Sequence, residues 1–373
     1  VTGTSGSVSE TTVVCVEVGT GTCSSTASSS GKFYILTSST LAGYSISSGS
    51  LNLISNSSFT LTGASAVAID PTGSYLWAAT TSGITPYKIS STGALTQGSV
   101  IFGDTVSNAL EVDPSGKWLL DASLAGYLYA YPITTSGTQD TSRSVQTQSL
   151  ASTYVHTGGI AISPSGSTYP IIAVALGTTG TQVFPFTSGN TSPIGSPYSP
   201  TIAPYGQSGV AAAVAVAFDP SNRFLYIGET DGFPGSTTGN SGALRAYKIS
   251  SSSVSQISSS PYASGGTTPH AILASSNGYV YVANWQGTAD GVVTAFLLNA
   301  STPSLTLQSN TVSTGVEPYS MAVDSTGDFV LVVNNQGSPY FDSYTFDANT
   351  TGKLDTSVTG STVTGPVAIV ATP

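Results

Sequence analysis

Positive charge is what this chain most lacks. Of 373 residues only 8 are Lys or Arg, against 18 Asp or Glu, for a formal net charge of −10. Charged residues make up 7% of the chain, well below the roughly 25% of ordinary soluble domains. A phosphate backbone is bound by neutralising it with Lys and Arg, so nucleic acid is excluded as a partner. No apolar run approaches the roughly 20 residues that cross a bilayer, and no membrane span is expected. Histidine is limited to His156 and His270, and cysteine to Cys15 and Cys23. Two thiols are too few for a zinc centre. The many serines lack the Gly-X-Ser-X-Gly elbow of a serine hydrolase. The runs Asp231-Gly232 and Asp290-Gly291 offer oxygen to calcium, but no Asp-X-Asp-X-Asp loop accompanies them, so they read as turns. No cofactor and no metal are expected.

The spacing of Cys15 and Cys23 suits a disulfide closing a small hairpin around Gly19-Thr20-Gly21, the alternative being two free thiols. With the rest of the composition it implies an extracellular or cell-surface protein. Val1 reads as the start of a mature chain whose leader was removed. Asn-X-Ser/Thr sequons at Asn56, Asn190, Asn299 and Asn349 fall in expected loops.

What the chain does have is a motif that returns seven times. A short apolar run is followed by Asp-Pro or Ser-Pro, then Gly or Asn, then a second apolar run. It reads AVAIDPTGSYLWAAT from Ala66, ALEVDPSGKWLLDAS from Ala109 and IAISPSGSTYPIIAVA from Ile160. It continues as VAVAFDPSNRFLYIGE from Val214, HAILASSNGYVYVANW from His270 and YSMAVDSTGDFVLVVNN from Tyr319. The seventh copy is split: PVAIVATP ends the chain from Pro366, and GKFYILTSS begins at Gly31. Each copy reads as two strands around a Pro/Gly turn, followed by a third strand such as Tyr127–Tyr131 and a more polar fourth. Such a meander is a propeller blade, and a motif split between the termini implies a closed ring. The expected fold is therefore an all-β, seven-bladed propeller of four-stranded antiparallel blades over 32–373. Its C-terminal strand completes the N-terminal blade. Residues 1–31 are left over as an extension with one extra strand, Thr11–Val18.

These residues resemble the YVTN-repeat and lactonase-type seven-bladed propellers, on DPTGSYLWAAT, DPSNRFLYIGET, SSNGYVYVANW and STGDFVLVVNN. The resemblance covers about residues 32–373. It implies His, Glu and Arg around a central cleft that opens or forms sugar-acid lactones. Glu229 stands where the family often has a functional Glu, whereas the family's basic-plus-His segment is here Val210-Ala211-Ala212-Ala213.

A lactonase needs a base and a group for the developing oxyanion. The candidates are Glu229 as base, Arg245 as electrophile and His270 as acid. Each also has a structural reading: a loop cap, a solvated strand residue and a hydrogen-bonding residue. Trp77 and Trp118 are expected in the core, and Trp285 is a candidate for stacking on carbohydrate. An apolar strand outside the ring can add to a neighbour's sheet edge. Thr12, Val13, Val14, Cys15, Val16 and Val18 are therefore candidate subunit contacts, with the chain itself as partner. With so few ionisable groups and an extra strand outside the ring, the leading expectation is a secreted, non-catalytic surface or structural protein, serving adhesion or self-assembly into a filament through residues 1–31. The alternatives are a lactonase-like hydrolase or isomerase centred on Glu229, and a glycan-binding propeller.

Overall fold

The computed structural model describes residues 2–5, 8–11, 31–47, 49–205, 210–231, 242–251, 253–299, 303–308, 311–325, 327–347, 350–360 and 363–373. Among them there is no helix, and so none able to cross a membrane. Seven antiparallel sheets form a seven-bladed propeller.

Blades 2 to 7 each join their first two strands through an Asp or Ser turn. In blade 2 the strands Ala66–Ile69 and Tyr75–Thr80 flank Asp70. The Asp70 Oδ1 accepts the backbone N–H groups of Ser74 and Tyr75, each at 2.7 Å. Asp113 holds Lys117 and Trp118 in the same way, and Asp219 holds Arg223 and Phe224. The carboxylate thus satisfies backbone donors that the sharp reversal leaves unpaired. The turn also needs a residue at positive φ: Gly73 (65°), Gly116 (67°) and Asn222 (61°) supply it, which explains the Gly-or-Asn of the motif.

Side chains alternate along the second strand, and both faces are buried. Leu76 and Ala78 pack toward blade 1, Trp77 and Ala79 toward blade 3. Seven such interfaces form the core, so the strands read as nearly continuous apolar runs. Trp77 and Trp118 are buried there as expected.

The first strands stand around the axis, each beside the next. The ring closes where Pro366–Ala371 pairs with Lys32–Thr37, Phe33 opposite Ala371 and Ile35 opposite Ile369. One departure from expectation stands out. Blade 4 keeps three strands (Ile160–Ile162, Ile171–Ala175, Thr181–Pro185), and its outer edge meets the following loop through bridges such as Thr181 with Ile202. In the N-terminal extension, Thr2–Ser5 pairs with Val8–Thr11 in a two-stranded sheet of its own, and residues 12–18 of the strand expected over 11–18 lie outside the described residues. Cys15, Cys23 and the candidate contacts Thr12, Val13, Val14, Val16 and Val18 lie outside the described residues.

Removing residues 366–373 strips blade 1 of its innermost strand and re-opens two sheet edges. The truncated protein is expected to lose at least 10 °C in Tm or fail to fold, as read by calorimetry. An unchanged Tm would refute closure by this strand.

Candidate active site

The first strands enclose an axial cavity of about 220 Å3, to which all seven blades contribute. Its wall is mostly apolar, with Val67, Leu110, Ile160, Val216, Ile272 and Ile369 among the lining residues. Polar groups come from Glu111, Thr157, His270, Tyr319 and Ser320.

Every first strand begins on the same face of the disc, and in blades 2–7 it ends at an Asp or Ser turn on the other. Residues at strand starts therefore gather at one mouth of the cavity. His270 lies early in Thr268–Ala274, Tyr319 early in Pro318–Val323, and His156 just ahead of Ile160–Ile162. The two imidazole centroids are 5.4 Å apart. Tyr319 stands 5.1 Å from His270 and 6.3 Å from His156, and Trp285 lies 5.7 Å from His270.

The hydrogen bonds define the state of one ring. His156 Nδ1 lies 3.0 Å from the Thr157 carbonyl. A carbonyl only accepts, so Nδ1 carries the proton and Nε2 keeps a lone pair. His270 has no hydrogen bond from the described residues, and its Nδ1 is buried without a partner. Burial pushes the pKa of His156 down; burial, then the adjacent His156, pushes that of His270 down to about 3. Both rings are neutral at pH 7.

Glu111 reaches the same cavity from Ser107–Val112, and burial pushes its carboxyl up to about 7. No described side chain pairs with it. It escaped the sequence reading, although an acid inside ALEV, at a position that is apolar in the other first strands, is a visible anomaly.

The three candidate catalytic residues do not assemble as expected. Glu229 and Arg245 form a buried ion pair with Nη1 to Oε1 at 2.8 Å. The other Glu229 oxygen accepts from Tyr205 N at 2.9 Å. Arg245 also donates to the Ala203 carbonyl and to Gln256. Burial raises the Glu229 pKa, while Arg245 and the Tyr205 N–H act to lower it. This pair ties the segment before blade 5 to that blade, and both carboxylate oxygens are occupied. His270 shares no described contact with it and sits instead with His156. Asp231 is a turn residue at φ 48°, and Asp290 pairs with Val316 in a sheet. Among the described residues no group of three or more His, Cys, Asp or Glu could hold a metal.

The family "Lactonase, 7-bladed beta-propeller" matches residues 22–371. The chain belongs to this lactonase family. Solved structures agree on the fold. A Bacteroides uniformis protein provisionally assigned as a 6-phosphogluconolactonase is 16% identical, with TM-score 0.69, over 91% of this chain and 99% of that one. The periplasmic gluconolactonase of Pseudomonas aeruginosa is 18% identical, with TM-score 0.67, over 92% and 99%. No curated protein matches significantly in sequence. Membership in the lactonase family corrects the expectation of a non-catalytic surface or structural protein. That expectation rested on the scarcity of ionisable groups and on the strand outside the ring, and neither registers two histidines brought together from blades 4 and 6.

Glu111 favours its protonated form in the folded state. Its contribution to stability is complete below its ordinary pKa of 4.5 and is lost as pH rises through about 7. Glu111→Gln should match the parent at pH 4 and exceed it at pH 8 by on the order of 1–2 kcal/mol, allowing for partial access to water. Urea unfolding at both pH values checks this, and equal stabilities at pH 8 would refute it.

Proposed function

We propose that the chain is a lactonase-like hydrolase that opens a neutral lactone at the mouth where His156 and His270 meet. The observation that carries the reading is the pair of neutral imidazoles, one with a bare Nε2 and one with no hydrogen-bond partner among the described residues, in a chain of the lactonase family.

The chemistry follows from the two rings. His156 Nε2 accepts a proton from a water as that water attacks the lactone carbonyl. His270 offers an N–H to the oxygen that becomes negative. The ring C–O bond of the tetrahedral intermediate then breaks, and the leaving oxygen takes the proton back from His156 Nε2. The product is a hydroxy acid. Tyr319 and Trp285 give apolar walls to hold the faces of a small ring.

Charge supports a neutral substrate. Lys32, Lys88, Lys117, Arg143, Arg223, Lys248 and Lys353 all lie toward the Asp-turn face, at the outer ends of strands or in turns. The mouth face holds one cation, Arg245, already bonded to Glu229. It also holds Asp104, Asp121, Glu229, Asp231, Asp290, Glu317 and Asp342. A phosphorylated lactone meets no free guanidinium or ammonium there, and an anionic product is repelled after ring opening. The expected selectivity therefore differs from that named for the Bacteroides protein.

Glucono-1,5-lactone hydrolysis, followed by proton release over the spontaneous rate, tests this. His156→Gln should lose about 100-fold or more in kcat/KM, and His270→Gln about 10- to 100-fold, with Tm nearly unchanged. The 6-phosphorylated lactone should be the poorer substrate. If Glu229→Gln abolished turnover at unchanged Tm while both histidine variants kept it, the chemistry would belong to the ion pair instead.

A further inference from the structure

The second strand of each blade places a buried apolar residue in fourth position. In six blades these are Ile35, Ala78, Val174, Ile227, Val282 and Val332. Blade 3 breaks the rule, because the fourth residue of Trp118–Ser123 is Asp121, with no exposed surface. A carboxyl in a position built for a methyl or isopropyl group is costly unless something compensates it.

The surroundings do not compensate it from within the protein. Among the described residues, Asp121 Oδ2 accepts only from the Tyr131 hydroxyl, at a long 3.4 Å, and Oδ1 has no hydrogen-bond donor. A second carboxyl, Asp104, comes from the link between blades 2 and 3 and lies close enough to Asp121 to compete for the same proton. Asp104 Oδ1 accepts from Val106 N at 3.0 Å, while Oδ2 is unpartnered. The buried Ser107 hydroxyl lies beside Asp121 and acts to lower its pKa, though no hydrogen bond of normal geometry joins it to a described group. Three unsatisfied oxygens from two acids and a hydroxyl therefore converge between blades 2 and 3. The other titratable groups facing them are Tyr129 and Tyr131. The sole cation of this face, Arg245, is held in blade 5.

Blade 7 gives an internal contrast. Asp342 is also buried, but its Oδ2 accepts from Thr314, from Gly315 N and from Asn334 Nδ2, at 2.6 to 2.9 Å. That carboxylate is fully served by the protein. Asp121 is as deeply buried and has only the long Tyr131 contact and the nearby Ser107 hydroxyl.

We propose that Asp104, Asp121 and Ser107 hold one hard divalent cation of the calcium class, with water completing its shell. Oxygen-only ligands suit a hard ion, and calcium tolerates an irregular set completed by water. The ion would sit between two carboxylates that otherwise repel each other. Asp104 is only half-buried and offers a way in from the mouth face. This site is separate from the imidazoles, so it stands or falls independently of the lactonase reading.

The test is calcium binding to the whole protein after treatment with EDTA. Calorimetric titration at pH 7 should give one site with Kd on the order of 0.1–1 mM, the range of modest extracellular sites. At 10 mM calcium the Tm should rise by about 2 °C over a sodium chloride control of equal ionic strength. Asp121→Asn should keep the fold, judged by circular dichroism, and abolish both signals. Ser107→Ala should weaken binding several-fold. Magnesium in place of calcium should bind more weakly. The proposal is overturned if the parent shows no calcium heat and no shift beyond the control. It is equally overturned if Asp121→Asn responds as the parent does. A parent that ignores calcium but is destabilised as pH rises, with Asp121→Asn immune, would show that the two acids share only a proton.

Discussion

The antiparallel pairing of Pro366–Ala371 with Lys32–Thr37 is the constraint on which the rest depends. Each blade buries both of its faces against neighbours, so no blade has a core of its own, and the interfaces are complete only when the ring is. The mouth of the cavity is equally a product of closure. His156 belongs to blade 4, His270 to blade 6 and Tyr319 to blade 7. Only the shared axis brings them within ring contact of each other. Stability and site geometry therefore rest on the same strand.

Scarcity of charge acquires a different meaning once the faces are distinguished. The cations serve turns and strand ends on one face, while the other is left acidic around two neutral imidazoles. Catalysis by neutral groups fits such a site. A base that begins uncharged takes up a proton without an ion pair having to be broken, and burial keeps both rings uncharged across the neutral range. The Glu229–Arg245 pair then reads as a strut, since both Glu229 oxygens and both terminal nitrogens of Arg245 are engaged with each other, nearby backbone and Gln256.

The fold was legible because its determinants are local. Asp70, Asp113 and Asp219 write the turn into the sequence, and Gly73, Gly116 and Asn222 mark its positive-φ residue. The split seventh copy was enough to predict the closing strand. The three-stranded blade 4 was not foreseen, because a strand lost from an outer edge leaves the inner motif intact. The site was only half legible. Glu229 and Arg245 pair because adjacent strands hold them side by side, which a strand register can suggest. His156 and His270 meet through a seven-fold closure that no local pattern records. Glu111 and Asp121 carried a signal that went unread, each being an acid in a repeat position filled elsewhere by apolar residues.

With only two histidines in the chain, their imidazole 15N resonances can be assigned by single substitutions. A pH titration of the labelled protein, with and without a neutral six-membered lactam as a non-hydrolysable substrate mimic, tests the central claim most directly. The account predicts that His270 stays neutral at pH 6, that His156 titrates below the ordinary histidine value with its proton on Nδ1 in the neutral form, and that the lactam shifts the resonances of both. Two rings that titrate near the ordinary histidine pKa and ignore the lactam would contradict it.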